Sequence, residues 1–178
     1  MKKFLVLLFF VVLFSTVQAQ KGDYELPEQS SFTDRLYYGG GFGLAGGSGG
    51  ISISLSPIVG YMVSNRVSLG LGITYRYYKY ESSFDSYSDN QWGGQVFGRI
   101  NIIRPLFAMV QYSFLNYSYA GDQNDRRVIE RLPIGLGISQ PIGGRSAINI
   151  TAGYDVLYID NNGSPYGSPW VFGVFFSI

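Results

Sequence analysis

The chain has 178 residues, the length of about one domain, with 13 Lys and Arg against 12 Asp and Glu and with no His and no Cys. Lack of both residue types excludes an imidazole-activated nucleophile, a thiolate zinc site and a disulfide. A net charge of +1 also lacks the basic excess of nucleic-acid-binding proteins. The composition is unusual for a soluble enzyme, since 24 Gly, 15 Tyr and 13 Phe accompany only 14% charged residues.

Residues 1–19 have the pattern of a cleaved secretory signal peptide. Lys2 and Lys3 precede an apolar run from Phe4 to Phe14, and a stretch of mostly small residues then leads to Ala19. The apolar run is shorter than the roughly 20 residues that a membrane-spanning helix needs, which disfavours an uncleaved anchor. We therefore expect export, with cleavage after Ala19.

The stretch from Ile51 to Val63 alternates between apolar and small side chains. Ile51 and Ile53 begin an apolar face, while Ser52 and Ser54 begin the opposite face. This period of two predicts a β-strand, and its length suits a membrane-crossing strand, which needs about 9 to 11 residues. The same alternation predicts eight strands, near residues 36–46, 51–63, 67–78, 91–103, 106–119, 131–140, 146–158 and 168–178.

The connections between these strands alternate in length. Those predicted to be tight lie at 64–66, 103–106 and 141–145, and those predicted to be long lie at 81–90, 120–130 and 159–167. Only the first outer connection, a Gly-Ser turn at 46–50, departs from this pattern. Short turns at one end and longer loops at the other are typical of outer-membrane barrels. The sequence predicts an all-β, eight-stranded antiparallel up-and-down transmembrane β-barrel over residues 36–178, preceded by a periplasmic lead-in at 20–35.

A soluble barrel of lipocalin type, with its apolar face inward, is the alternative for the same periodicity. The Gly and Ser face favours the membrane barrel, because small residues suit a narrow lumen and would weaken exposed strands. Aromatic residues also cluster near strand ends, as interfacial girdles do. The predicted girdle residues are Tyr75, Tyr77, Trp92, Tyr158 and Trp170.

Charged and amide side chains fall on the face that we assign to the lumen. They are Arg76, Gln95, Arg99, Asn101, Gln111, Asn149 and Asp155. Because an uncompensated buried ion costs several kcal/mol, these residues should pair with one another. We predict an upper layer of Arg76 with Asp155, and a lower layer of Arg99 with the neighbouring amides, which together fill the bore. A gated ion path is the alternative, although eight strands enclose little more than their own side chains.

Each tight turn carries one arginine, namely Arg66, Arg104 and Arg145. These residues are predicted to be either solvated or in contact with lipid phosphates. The outer loops are rich in Asp, Tyr and Arg, including Asp89, Arg126 and Arg131, which we expect to be solvated.

No cofactor or metal is predicted. No loop has the spacing of an EF-hand calcium site. The letters Gly41-x-Gly43-x-x-Gly46 match a dinucleotide fingerprint, but they lead into a predicted strand rather than the helix that this motif needs.

Six segments carry a resemblance to a known group of proteins, namely Asp34-Arg35-Leu36, Ser56 to Tyr61, Leu71 to Tyr78, Phe97-Gly98-Arg99, Gln140 to Gly143 and Ser164-Pro165-Tyr166. In these segments the chain resembles small outer-membrane β-barrel proteins of diderm bacteria, in the OmpA/OmpX-type eight-stranded class. An aromatic last strand, with Phe172, Phe176 and Ile178 on one face, resembles the signal read by the outer-membrane insertion machinery, although that signal usually ends in Phe. The resemblance implies an outer-membrane location and contact with lipid and lipopolysaccharide.

The resemblance implies no specific activity. Small barrel enzymes of this class use His with Ser or Asp, and this chain contains no His. We therefore expect a non-enzymatic barrel with a structural or surface-interaction role. The alternatives are a narrow channel or an accessory subunit of a larger transport complex, and a lipid-modifying enzyme is less favoured. The sequence does not specify a partner on the cell surface or among membrane proteins, and no nucleic-acid partner is expected.

Overall fold

The structure is a computed structural model that describes residues 30–47, 50–81, 86–119, 122–159, 166 and 168–178. The expected signal peptide and residues 20–29 of the expected lead-in lie outside the described residues. A short 3-10 helix, Thr33–Arg35, comes directly before the first strand. No helix within these ranges is long and apolar enough to cross a membrane.

Nine β-strands form one antiparallel sheet within the described part of the chain. They are β1 (Leu36–Gly47), β2 (Gly50–Met62), β3 (Val67–Glu81), β4 (Ser86–Ile103), β5 (Leu106–Tyr119), β6 (Asp122–Arg131), β7 (Pro133–Gly143), β8 (Ser146–Asp155) and β9 (Trp170–Ser177). The short turns after β2, β4 and β7 lie at the same end as the start of β1 and the end of β9, which we call the turn end. The opposite end is the hairpin end.

The sheet closes into a barrel because β1 pairs with β9 and β4 pairs with β5. Both β6 and β7 pair with β5, along its hairpin-end half and its turn-end half respectively. They are two halves of one barrel strand, interrupted at Leu132. Because β6 and β7 together occupy one position, the nine strands form a barrel of eight strands. The predicted eight-stranded antiparallel all-β barrel is confirmed.

Two of the long connections predicted from the sequence are wrong. The predicted loop at 81–90 shrinks to residues 82–85, and the predicted loop at 120–130 shrinks to residues 120–121. The flanking segments are mostly polar, and their apolar residues Val128 and Ile129 are adjacent, so no apolar alternation marks these segments as strands. Backbone pairing with β3 and β5 extends them as hairpin arms instead.

Apolar side chains point out of the barrel. Along β2, Ile51, Ile53 and Leu55 are 54%, 42% and 56% exposed, whereas Ser52 and Ser54 between them are partly buried. The prediction that the apolar face points outward is confirmed, and a soluble barrel with an apolar interior does not fit. The buried apolar side chains are few and are Ile58, Phe97, Phe107, Leu115 and Tyr117.

The seam between β1 and β9 is paired over a short length. Its register partners are Gly39–Ser177 and Gly40–Phe176, both at the turn end. Beside them, Tyr38 and Ile178 exchange two backbone hydrogen bonds of 3.1 and 2.7 Å. The pairing of β1 with β2, by contrast, runs along the whole of β1. From Gly41 toward the hairpin end, β1 and β9 have no further register partners among the described residues.

Candidate functional site

Arg99 is the centre of the lower polar layer in the lumen. Its Nε donates to Asn101 Oδ1 at 3.0 Å, and its Nη1 donates to Asn149 Oδ1 at 2.9 Å. The guanidinium lies 3.8 Å from the centre of the Phe107 ring, a cation–π contact. Asn149 and Phe107 are fully buried. The structure therefore brings together three of the predicted lumen residues, with an aromatic ring that the sequence analysis did not include.

Neutral groups stabilise the positive charge of Arg99. No carboxylate forms an ion pair with it among the described residues, and the guanidinium contacts two amide oxygens and a ring face. Asn149 extends this layer to the last strand, because its Nδ2 donates to Ser177 Oγ at 3.0 Å. The lower layer thus connects β4, β5, β8 and β9 across the bore.

Gln95 and Gln111 form a separate hydrogen-bonded pair, which lies closer to the hairpin end than Arg99 does. Gln111 Nε2 donates to Gln95 Oε1 at 2.9 Å. The prediction grouped these amides with Arg99, but their hydrogen bond joins them to each other. The reason is depth in the lumen, since Gln95 lies two inward-facing positions closer to the hairpin end of β4 than Arg99 does.

The upper layer differs from the prediction in its central pair. Asp155 is bound by Arg131, whose Nε lies 2.7 Å from Asp155 Oδ2, so the predicted pairing of Arg76 with Asp155 is wrong. Asp155 Oδ1 also accepts the backbone N–H groups of Leu132 at 2.8 Å and Leu157 at 3.2 Å. The interruption at Leu132 frees that N–H from the sheet and directs it to the carboxylate.

Arg76 instead contacts Tyr166. Its Nη2 donates to Tyr166 Oη at 3.3 Å, and its guanidinium lies 5.1 Å from the ring centre. Arg131 lies on the same ring at 3.9 Å. Tyr166 therefore lies between the two arginines of the upper layer. The expectation that Arg131 is a solvated loop residue is wrong, because the sixth barrel strand begins earlier than predicted, at Asp122, and Arg131 is largely buried in the lumen.

A cavity of about 200 Å³ lies in the lumen between the two layers. Its walls include Ile58, Phe97 and Met109 together with the Gln95–Gln111 pair. Glycines form part of the remaining wall, namely Gly41, Gly135, Gly153 and Gly173. The predicted filling of the bore by side chains is therefore incomplete.

A second polar cluster lies at the hairpin end, where β4 and β5 separate. Asp89 is 1% exposed and accepts the backbone N–H of Ser118 at 2.9 Å and its hydroxyl at 2.7 Å. Gln91 Nε2 donates to Asp89 at 3.0 Å, and Arg126 Nη1 lies 3.5 Å from it. Asp89 thus joins the β3–β4 hairpin to the β5–β6 hairpin. The expectation that Asp89 is solvated is wrong, because the two hairpins enclose it.

The electrostatic environment of Asp89 favours its charged form. Burial raises the pKa of Asp89, but the hydrogen bonds from Ser118 and Gln91 and the charge of Arg126 outweigh burial. The net effect is a pKa below the usual value of an aspartate.

The predicted girdle residues lie near the hairpin end. Tyr75 and Trp92 are direct cross-strand partners and are 51% and 56% exposed. Trp170 is also exposed and packs edge-on against Tyr154, with ring centres 5.4 Å apart. Tyr77 and Tyr158 are less exposed.

The turn end carries the three predicted arginines, all exposed. Arg145 is not simply solvated, because its Nη2 donates to the backbone carbonyls of Asp34 at 2.9 Å and Leu36 at 2.7 Å. Arg66 lies in the turn before β3, and Arg104 lies in the turn before β5. Phe172, Phe176 and Ile178 of the proposed insertion signal are exposed on the outer face.

Comparison with known proteins assigns this chain to no family. The chain matches no family model and no curated protein at a significant level. Among the described residues, no group of three His, Cys, Asp or Glu side chains is placed to hold a metal ion.

Proposed function

We propose that this protein is an integral outer-membrane β-barrel with a non-enzymatic role. The observation that supports this proposal is the apolar outer surface, on which Leu71, Ile73, Phe172 and many other large side chains are more than half exposed. Soluble monomers rarely expose contiguous apolar patches larger than a few hundred Å². A bilayer is the environment in which such a surface is favourable, and pairing between neighbouring strands satisfies most backbone hydrogen bonds of the barrel internally.

The proposed orientation places the turn end in the periplasm and the hairpin end outside. The leader predicted at residues 1–19 and the resemblance to the OmpA/OmpX-type class support export to the outer membrane. Arg66, Arg104 and Arg145 would then lie at the inner leaflet, near lipid phosphates. The aromatic residues around Tyr75, Trp92 and Trp170 would lie at the outer interface, in contact with lipopolysaccharide. Insertion would use the outer-membrane assembly machinery.

The role that the geometry supports best is a structural or surface-interaction one. Two polar layers cross the lumen, so the barrel is not built as an open pore. The hairpins β3–β4 and β5–β6 extend beyond Trp92 and are fixed to each other by Asp89 and Ser118. A fixed pair of polar hairpins is a suitable surface for a partner outside the cell.

Tryptophan fluorescence tests the membrane location. The chain contains two Trp residues, Trp92 and Trp170, and each single-Trp variant (W170F or W92F) reports one position. In reconstituted bilayers, we expect lipids brominated near the headgroup to quench both residues more strongly than lipids brominated at the chain end. Fractionation of expressing cells should place the protein in the outer membrane. The proposal would be overturned if the protein were water-soluble and brominated lipids did not quench its Trp fluorescence.

Planar-bilayer recordings test the closed lumen. We expect the reconstituted barrel to show no steady ion conductance, because the layers around Arg99 and Arg131 obstruct the bore. A stable, reproducible conductance would favour a channel instead.

A further inference from the structure

We propose that the barrel takes up an alkyl chain from the membrane through a lateral opening at the seam between β1 and β9, into the lumen cavity. This inference rests on the proposed membrane location. The opening is defined by Gly43 on β1 and Gly173 on β9.

The seam lacks both backbone pairing and side chains at this level. Continuing the register of Gly39–Ser177 places Gly43 opposite Gly173. A Cβ added at Gly43 would meet only Ser54, and one added at Gly173 would meet only Thr151 Oγ1, at 2.9 Å, within a 4 Å radius. Neither added Cβ would have a described atom of the opposite seam strand within 4 Å. At this level the described residues therefore show neither a register pair nor a side chain that joins the two seam strands.

The cavity reaches this part of the wall. Gly41 of β1 and Val171, Gly173 and Phe175 of β9 all line it. The outer surface beside the opening is apolar, with Phe42 and other exposed side chains, namely Leu44, Phe172 and Val174. An apolar path therefore leads from the outer surface to the cavity.

The size and walls of the cavity fit a hydrocarbon. An engineered apolar cavity of about 150 Å³ binds benzene, and this cavity is larger, at about 200 Å³. Ile58, Phe97 and Met109 give it apolar walls. Because the opening faces the hydrocarbon region in the proposed orientation, the ligand is the end of an alkyl chain whose polar headgroup stays at the interface. A phospholipid and a free fatty acid both carry such a chain.

Methyl NMR in nanodiscs tests the uptake, with Met109 as the reporter inside the cavity. The protein is deuterated and carries ¹³C-methyl groups on Met and Leu. In one arm, dimyristoyl phosphatidylcholine is protonated in its chains. In the second arm, the phospholipid is deuterated and protonated lauric acid is added. We expect an intermolecular cross-peak between the Met109 methyl and chain protons in at least one arm, and that arm identifies the source of the chain.

A reversible cross-link tests the route. The chain contains no cysteine, so F42C/V174C introduces the only disulfide, on the outer face across the seam. The matched control is L71C/V96C, which joins outward register partners of the fully paired strands β3 and β4. Oxidation of the seam pair should remove the Met109 cross-peak and reduction should restore it, whereas the control should keep the cross-peak in both states.

A cavity-filling substitution provides an independent test if the cysteine variants do not insert. G173V adds a side chain at the opening, and G98V adds the same side chain on the outer face, where the nearest atoms lie at 3.6 and 3.7 Å. We expect only G173V to weaken the Met109 cross-peak.

The outcomes separate this inference from the proposed function. Outward methyl groups such as that of Leu71 should contact lipid chains in every sample. If Leu71 shows this contact and Met109 does not, uptake is overturned while the membrane location stands. A Met109 cross-peak that persists in the oxidised seam variant overturns the proposed route. If Leu71 shows no lipid contact, the proposed function itself fails.

Discussion

Arg131 donates a hydrogen bond of 2.7 Å to Asp155 at the point where one barrel strand is interrupted. Both side chains are largely buried, with 13% and 2% of their surfaces exposed. The interruption at Leu132 supplies a second donor to the same carboxylate, at 2.8 Å. A break in the sheet is thus compensated by a charged pair in the lumen, and the stability of the barrel should depend on that pair.

The substitution D155N should destabilise the barrel by about 3–5 kcal/mol, because it leaves the charge of Arg131 buried without a partner. The asparagine keeps the shape of the side chain and one oxygen acceptor. The matched control is D125N, which removes the partner of Arg127 in an ion pair exposed by about half. An exposed pair contributes roughly 0–1 kcal/mol. Unfolding midpoints in urea should show this difference, and equal effects would contradict a structural role for Asp155.

The substitution R99M should also destabilise the barrel, by about 2 kcal/mol or more. Methionine preserves contact with Phe107 but leaves the buried oxygen of Asn149 without its donor, and lost hydrogen bonds to charged groups cost about 1.5–3 kcal/mol. R66M removes the same charge from an exposed turn and should have little effect. If thermal unfolding of the two variants coincides, the lower layer contributes no net stability.

The junction between the two outer hairpins should loosen in acid. Because the pKa of Asp89 is lowered in the folded protein, its stabilising contribution is fully present above the unfolded value of about 3.9 and is lost as pH falls through the lower folded value. Hydrogen exchange of the Ser118 amide, which donates to Asp89, should therefore lose protection in this range. In D89N, protection should be low at neutral pH and should not change with acid. A wild-type Ser118 amide that stays protected through the titration would contradict this assignment.

Two neighbouring glycine positions should respond differently to alanine. A Cβ at Gly70 would overlap the ring of Phe97, which is 7% exposed, so the ring would have to shift. Overpacking of this kind costs about 1–3 kcal/mol. Gly98 faces outward, with Leu69 and Val110 at ordinary contact distances of 3.6 and 3.7 Å. We expect G70A to lower the unfolding midpoint and G98A to leave it nearly unchanged, and the opposite order would show that the faces are assigned wrongly.

The sequence predicted the barrel well because its outer wall is periodic. An apolar residue at every second position reveals both the strand and its outward face, as Ile51 and Ile53 do. The lower layer was partly predictable for the same reason, since Arg99 and Asn149 interrupt the small-residue face of long strands.

The upper layer was not predictable in this way. Arg131 lies at the end of a mostly polar arm without apolar alternation, so periodicity gave no sign of its inward position. Asp89 is enclosed because two hairpins meet there, which brings Ser118 against it although the two residues are 29 positions apart in the chain. Such contacts depend on how strands diverge above the barrel, which local alternation does not encode.

The hydrogen bonds from Arg145 to Asp34 and Leu36 connect groups that are 111 and 109 residues apart in the chain. Hairpins such as β2–β3 need only local loop closure and can form early, whereas contacts of this separation carry a larger entropic cost. During assembly the first strand must therefore wait until nearly the whole chain has been synthesised before its final neighbours exist. Arg145 joins the early and late parts of the barrel, because its bonds to the start of β1 can form only when the turn between β7 and β8 is in place.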